Sequence, residues 1–350
     1  MKNVTFIIGN GFDIKLGLKT RYSDFYKVYK NIQEPNPTIM DFKKNILNEN
    51  EIMWRDFEYG MGQCEKFNNP DDYIRCYQDV ASKLDDYLLK ENHRLDLNNI
   101  STDDINELKN SLYYFHRKVK NVEIEKVKEF NTELNEIKIN LNVIQFNYTT
   151  VFDKLFDNIS PDYGSKKGLN LHVHGKIGGF NHAMGVNDTS QIKSTILKNN
   201  SMVIDTFVKP NFHSSLQSED VNQPTDYTKG QQVIKATDTF CIFGCSIGNT
   251  DKFWWEQIGK RLINKSNTHL IIFDVCDINT ENEGKYQTVK IENINKKNQK
   301  RKEIIGNFLR LSGLGEDWAQ KNKDRIFVEL NTSMFNLNIP KQKNIVEFAK

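Results

Sequence analysis

An α/β fold on a mostly parallel sheet is what this chain predicts, and three observations predict it. Its first apolar run, Val4, Phe6, Ile7 and Ile8, is nearly continuous, as in a strand buried on both faces. The run breaks at Gly9-Asn10-Gly11 and gives way to an amphipathic stretch carrying Phe12, Leu16 and Leu18. That is the strand–turn–helix opening of nucleotide-binding domains. Further along, short apolar runs alternate with helical patterns, which favours parallel strands joined by crossover helices.

Composition narrows the class. In 350 residues, 38% hydrophobic and 11% aromatic content supports a packed core and argues against global disorder. The length accommodates two domains, or one domain with an insertion. Lys and Arg (48) nearly balance Asp and Glu (46), so a net charge of +2 selects no partner. A DNA-coating protein would be far more basic, and nucleic acid is not the expected ligand. No apolar run reaches the roughly 18 residues of a membrane span. The apolar start is too short for a signal-peptide core, so a cytoplasmic protein is expected. Cys64, Cys76, Cys241, Cys245 and Cys276 are odd in number and lack a C-x-x-C pair, which suits reduced thiols better than disulfides or structural zinc.

The elements follow in order. After the first strand, Pro37 to about Ile137 is helical in pattern. The clearest case is Asp71–Leu89, where Tyr73, Ile74, Tyr77, Val80, Ala81, Leu84, Tyr87 and Leu88 mark one face. Asn69 suits its N-cap, Pro70 its first position, and Asp71 and Asp72 the positive end of the dipole. A second helix starts near Ser101. Strands are expected at 141–146, 169–174, 240–243, 270–275 and 326–330, with helices at 151–156, 253–263 and, more basic, 300–311. Residues 1–30 and 140–335 then form a nucleotide-binding α/β domain and 31–139 an inserted helical block. The polar, weakly periodic stretch 176–232 is expected to be a loop-rich insertion or lid.

Four features fall at predicted strand ends, the edge where open parallel sheets bind ligands. Gly9-Asn10-Gly11-Phe12-Asp13 offers a sharp turn and free amides for a phosphate, although Ile14 breaks the dehydrogenase spacing. Asp13 would repel phosphate, so it suits a helix cap or a ribose hydroxyl. Asn147 can position a water or sugar hydroxyl, or simply form a turn. In Leu171-His172-Val173-His174-Gly175 the two histidines share a strand face. No Cys or carboxylate nearby completes a metal site, so a general base or a hydrogen-bonded structural histidine is expected instead. Gly244 and Ser246 could bond phosphate or ribose, and Asp274 could reach an adenosine ribose. The cluster Lys296, Lys297, Lys300, Arg301 and Lys302 reads as a solvated helix start. Trp54, Asp56 and Glu58 lie in a helical stretch, where Asp56 and Glu58 face different ways and make no obvious acid/base pair.

These segments carry a resemblance. Ile7-Ile8-Gly9-Asn10-Gly11-Phe12-Asp13, Gly17-Leu18 and Thr20-Arg21-Tyr22-Ser23-Asp24-Phe25 resemble the AbiH family of bacterial phage abortive-infection proteins. Phe146-Asn147-Tyr148-Thr149, His172-Val173-His174-Gly175 and Phe243-Gly244-Cys245-Ser246 continue the likeness in order. A more distant likeness runs to sirtuin-type NAD-binding domains through Gly9, Gly11, Phe12, Gly17-Leu18, Asn147, His174-Gly175, Gly244 and Ser246. It implies a sirtuin-like Rossmann-type fold in which Asn147 orients the nicotinamide ribose or water and His174 is the base. Two positions depart from that pattern: Thr149 stands where the sirtuin motif has Asp, and Asp13 where it has Ser. The sirtuin zinc ribbon is missing, which argues against protein deacetylation.

The resemblance therefore implies an anti-phage protein that binds NAD and hydrolyses it to nicotinamide and ADP-ribose, responding to a phage-derived trigger, with a homo-oligomer possible. Asn147 and His174 would be catalytic; Gly9, Asn10, Gly11, Phe12, Asp13, Gly244, Ser246 and Asp274 would bind the nucleotide; no metal is expected. A non-catalytic nucleotide sensor coupled to a partner is the alternative. A nucleic-acid-cleaving effector ranks below both.

Overall fold

The computed structural model describes residues 1–48, 56–119, 138–179, 182–217, 224–281 and 284–342. Trp54 and the end of the expected helical block, 120–137, lie outside them. Six strands form one sheet: β1 Lys2–Ile8, β2 Ile139–Gln145, β3 Lys166–His172, β4 Thr239–Phe243, β5 His269–Asp274 and β6 Ile326–Leu330. Their order is β3-β2-β1-β4-β5-β6 and every pairing is parallel. This is the order of doubly wound nucleotide-binding sheets.

The continuous apolar strands follow from burial on both faces. Val4, Phe6 and Ile8 of β1 pack into a cluster with Phe12, Leu108 and Leu112, Phe152 and Phe335. Ile7, pointing the other way, joins Ile234, Trp255, Ile258 and Phe308. Helices Thr102–Tyr113 and Val151–Asp157 thus cover one face, and Asp226–Ala236, Lys252–Asn264 and Gln287–Ser312 the other. From β1 the chain order runs outward to β2 and β3 on one side and to β4, β5 and β6 on the other. The connections that follow β1 and β4 therefore run on to opposite sides of the sheet and leave a crevice at the carboxyl edge.

Between β1 and β2, helices Tyr22–Tyr29, Pro37–Asn48, Phe57–Gln63 and Pro70–Asn92 build a separate apolar core. Asn69 caps the longest of them by accepting from the Asp71 N–H, and Ser101 caps the next by accepting from the Asp104 N–H. Aromatic edges knit this core together, as where Phe67 meets Tyr73 at 5.2 Å and Tyr73 meets Phe207 at 5.5 Å.

Several expectations need correction. Helix Thr102–Tyr113 belongs to the sheet rather than to the helical core, because its stripe of Leu108 and Leu112 meets β1 and β2 residues. The stretch 176–232, expected to be loop-rich, carries helices Thr195–Lys198, Ser201–Phe207, Lys209–Gln217 and Asp226–Ala236. Ile177, Met184, Val186, Leu197, Val203 and Phe207 from it are buried in the helical core. Helices of four to eleven residues, most with only one or two apolar anchors, leave little periodicity to read. Strand β3 ends at His172, and a turn closed by Gly175 at φ +77° carries His174. The basic helix starts at Gln287, well before Lys300, since its exposed first half shows no apolar stripe. Among the described residues, no helix is long and apolar enough to cross a membrane.

Candidate functional site

A cleft of about 1150 Å³ opens at the carboxyl ends of the strands. Gly9, Asn10, Gly11 and Asp13 line it after β1, Asn147 and Thr149 after β2, and His174 after β3. Gly244, Ser246 and Asp251 line it after β4, and Asp274 at the end of β5. The sheet thus gathers every expected site residue except Phe12. Phe12 is fully buried and packs edge-on against Phe152 at 5.1 Å and Phe335 at 5.3 Å. The turn into helix Gly11–Lys15 points it at the sheet, so its side chain is core.

The glycines here serve the close approach of two loops. A Cβ on Gly11 would stand 2.4 Å from the Gly244 Cα, and one on Gly9 would stand 2.6 Å from the Gly244 oxygen. Gly244 itself adopts φ +68°. The amides of Gly9, Gly11 and Phe12 donate to Phe243 O, Gly244 O and Gly9 O at 2.9, 2.8 and 2.9 Å. Contrary to the expected phosphate cradle, those three donors are therefore committed within the protein. Asn10 is held by Thr20, donating to its carbonyl at 2.9 Å and accepting from its hydroxyl. This ties the following segment, with Arg21 and Tyr22, to the cleft wall.

At the floor, Asp13 is only 1% exposed. Burial pushes its carboxyl up to about 7, against the opposing pull of Thr149, Asn147 and His172. The Thr149 hydroxyl donates to Oδ2 at 2.6 Å, while Oδ1 has no partner. Beside it Asn147 is buried close enough to act on that carboxyl, yet neither its amide nitrogen nor its amide oxygen makes a well-formed hydrogen bond. Buried polar groups without partners are rare enough to mark a place where a ligand completes them. His172 turns away from this floor: Nε2 lies 2.8 Å from Asp153 Oδ2 and Nδ1 3.0 Å from the Asn147 carbonyl. It is the hydrogen-bonded structural histidine of the pair, and it fixes the loop that presents Asn147.

The opposite wall is a buried charge network. His174 Nε2 stands 3.1 Å from Asp251 Oδ1. Lys209 Nζ lies 2.7 Å from that same oxygen and 2.7 Å from Glu58 Oε2. Tyr22 and Tyr148 donate to Glu58 Oε1 at 2.9 and 3.2 Å. Burial alone would lower the Lys209 pKa, but Asp251 and Glu58 outweigh it and hold the ammonium above the ordinary lysine value. Burial likewise opposes ionisation of Asp251, yet Lys209 and His174 keep its carboxyl well below the usual range. Nearby, burial drops His213 to about 3, so that ring is neutral.

Sequence reasoning missed part of this wall. Asp56 caps helix Phe57–Gln63, accepting from the Tyr59 N–H at 3.1 Å, while Glu58 reaches Lys209 far along the chain. Neither Lys209 nor the Asp153 partner of His172 stood out, because their partners are brought near only by the fold. At the outer rim Ser246 is exposed and Asp274 half-buried, with Lys300 Nζ 3.6 Å from Asp274 Oδ2. Among the described residues, no group of three or more His, Cys, Asp or Glu is placed to hold a metal ion.

Fold and site together define a doubly wound α/β protein with an open cleft at its topological switch point, lined by apolar surface and several charged side chains. The family model "Bacteriophage abortive infection AbiH" matches residues 5–274. The chain belongs to the AbiH family and is an abortive-infection, anti-phage protein. No curated protein matches it.

Proposed function

We propose that this AbiH protein acts against phage by hydrolysing NAD in the cleft, releasing nicotinamide and ADP-ribose in response to a phage-derived trigger. The observation that carries the reading is the pair of unpartnered buried groups at the floor, the Asn147 amide and Asp13 Oδ1. An acceptor oxygen beside a group that both donates and accepts matches the hydroxyls of a ribose. A sirtuin-like reading of these segments would put the nicotinamide ribose at the same Asn147 and His174. Cleaving the nicotinamide–ribose bond develops oxocarbenium character on the sugar, so the site must mainly orient the ligand, exclude bulk water and accept one proton. Asn147 holds the ribose and His174, backed by Asp251, contacts it. Ser246 and Asp274 at the rim bond the distal part of the nucleotide.

Chromatography of NAD, nicotinamide and ADP-ribose after incubation with the purified protein, with and without phage components, tests this reading. Wild type consumes NAD, whereas Asn147→Ala and His174→Ala do not and remain folded. A non-catalytic nucleotide sensor is the second reading, favoured by Thr149 and Asp13, which stand where the sirtuin motif has Asp and Ser. Calorimetry separates the two: tight binding of intact NAD without product selects the sensor.

A further inference from the structure

We propose that Asp13 is a catalytic residue of this cleft, touching the attacking water and taking its proton on the carboxyl oxygen that no protein group uses. The inference rests on the hydrolase reading above and names the proton acceptor within it.

Geometry distinguishes Asp13 from the other acids of the cleft. It sits directly after the tight turn that ends β1, beside the close approach of Gly11 to Gly244 at the carboxyl edge. Thr149 occupies Oδ2 at 2.6 Å and so restrains the carboxyl, while Oδ1 is buried without a partner in a residue that lines the cleft. The unpartnered Asn147 amide lies next to it and would hold a sugar hydroxyl beside that oxygen. His174 is placed differently: its Nε2 faces Asp251, and Asp251 is already bound by Lys209. That approach holds the ring side-on to the network, so it serves to position the sugar.

The surroundings of Asp13 suit proton transfer. Thr149 and Asn147 approach from the loop after β2, and neither titrates. The titratable group that acts on it is His172 on β3, whose ring nitrogens are turned to Asp153 and the Asn147 carbonyl. Burial keeps the carboxyl close to neutrality, so both its forms are populated at physiological pH, as an efficient general base requires. In the step, the bond from C1′ of the ribose to the nicotinamide nitrogen breaks and its electron pair stays on that nitrogen, giving neutral nicotinamide. A water oxygen bonds to C1′, and the proton it loses passes to Asp13 Oδ1 and then to solvent. NAD and water thus give nicotinamide, ADP-ribose and one proton.

The test compares wild type, Asp13→Asn and Thr149→Val by nicotinamide release across pH 5 to 9, with ADP-ribose binding measured by calorimetry. Asp13→Asn is expected to lose about 100-fold or more in kcat while binding ADP-ribose within about threefold of wild type. Thr149→Val removes a bond that lowers the Asp13 pKa, so the midpoint of the rate–pH profile moves upward. An Asp13→Asn variant that turns over within about threefold of wild type overturns the assignment and leaves the hydrolase reading standing. A wild type that consumes no NAD ends the hydrolase reading and the assignment with it. Should Asp13→Asn not fold, the Thr149→Val profile decides: an upward shift supports the assignment and an unmoved midpoint overturns it.

Discussion

Thr149 donates its hydroxyl to Asp13 at 2.6 Å across 136 residues of chain. These are the two positions at which the sequence departs from the sirtuin pattern, and they touch. A hydroxyl and a carboxyl meet at the floor of the cleft, with the carboxyl on the short helix after β1 and the hydroxyl on the loop after β2. The two residues are therefore one paired feature of this site.

The raised carboxyl of Asp13 has a consequence for stability. Between roughly pH 4 and pH 7 the folded protein keeps a proton that the unfolded chain has released, so unfolding free energy falls as pH rises through that window. Asp13→Asn removes the effect. Urea denaturation is expected to find the variant more stable than wild type at pH 8, by up to roughly 4 kcal/mol, and similar to it near pH 4.

Lys209 holds two carboxylates from different parts of the fold. Lys209→Met would leave Asp251 and Glu58 buried without their cation, at a cost of about 3–5 kcal/mol. Adding Glu58→Gln removes one of the uncompensated charges, so the double variant should recover part of that loss. Equal stability of wild type and Lys209→Met in urea would contradict the network.

The meeting of the two glycine loops predicts a sharp contrast between helical and loop positions. Gly11→Ala places a Cβ 2.4 Å from the Gly244 Cα and should destabilise the protein by roughly 2–4 kcal/mol. At Gly306, inside helix Gln287–Ser312, an added Cβ meets nothing within 4 Å. Gly306→Ala should instead stabilise by about 0.5–1 kcal/mol, read as a higher Tm.

Much of the sheet was legible in the sequence because its strands are buried on both faces and read as unbroken apolar runs. All six strands, including β6 at Ile326–Leu330, overlap their expected positions, with β3 ending two residues early, and Asn69 caps its helix where the pattern put it. The convergence of Gly9, Asn147, His174 and Ser246 on one rim was readable for the same reason: each follows a strand. Phe12 was misread because a turn motif does not show which of its residues points to the core. The Glu58–Lys209–Asp251 network was invisible because its members come from three distant segments with no spacing between them to notice. The helices of 195–217 were hidden by their shortness.

The central claim is that one cleft at the carboxyl edge binds NAD and breaks its nicotinamide–ribose bond. Following nicotinamide release from NAD by chromatography, with wild type, Asn147→Ala and Asp13→Asn side by side, tests it most directly. Nicotinamide and ADP-ribose should appear in equal amounts with wild type and be absent with both variants. Intact NAD at the end of the wild-type incubation, with phage components present, would contradict it.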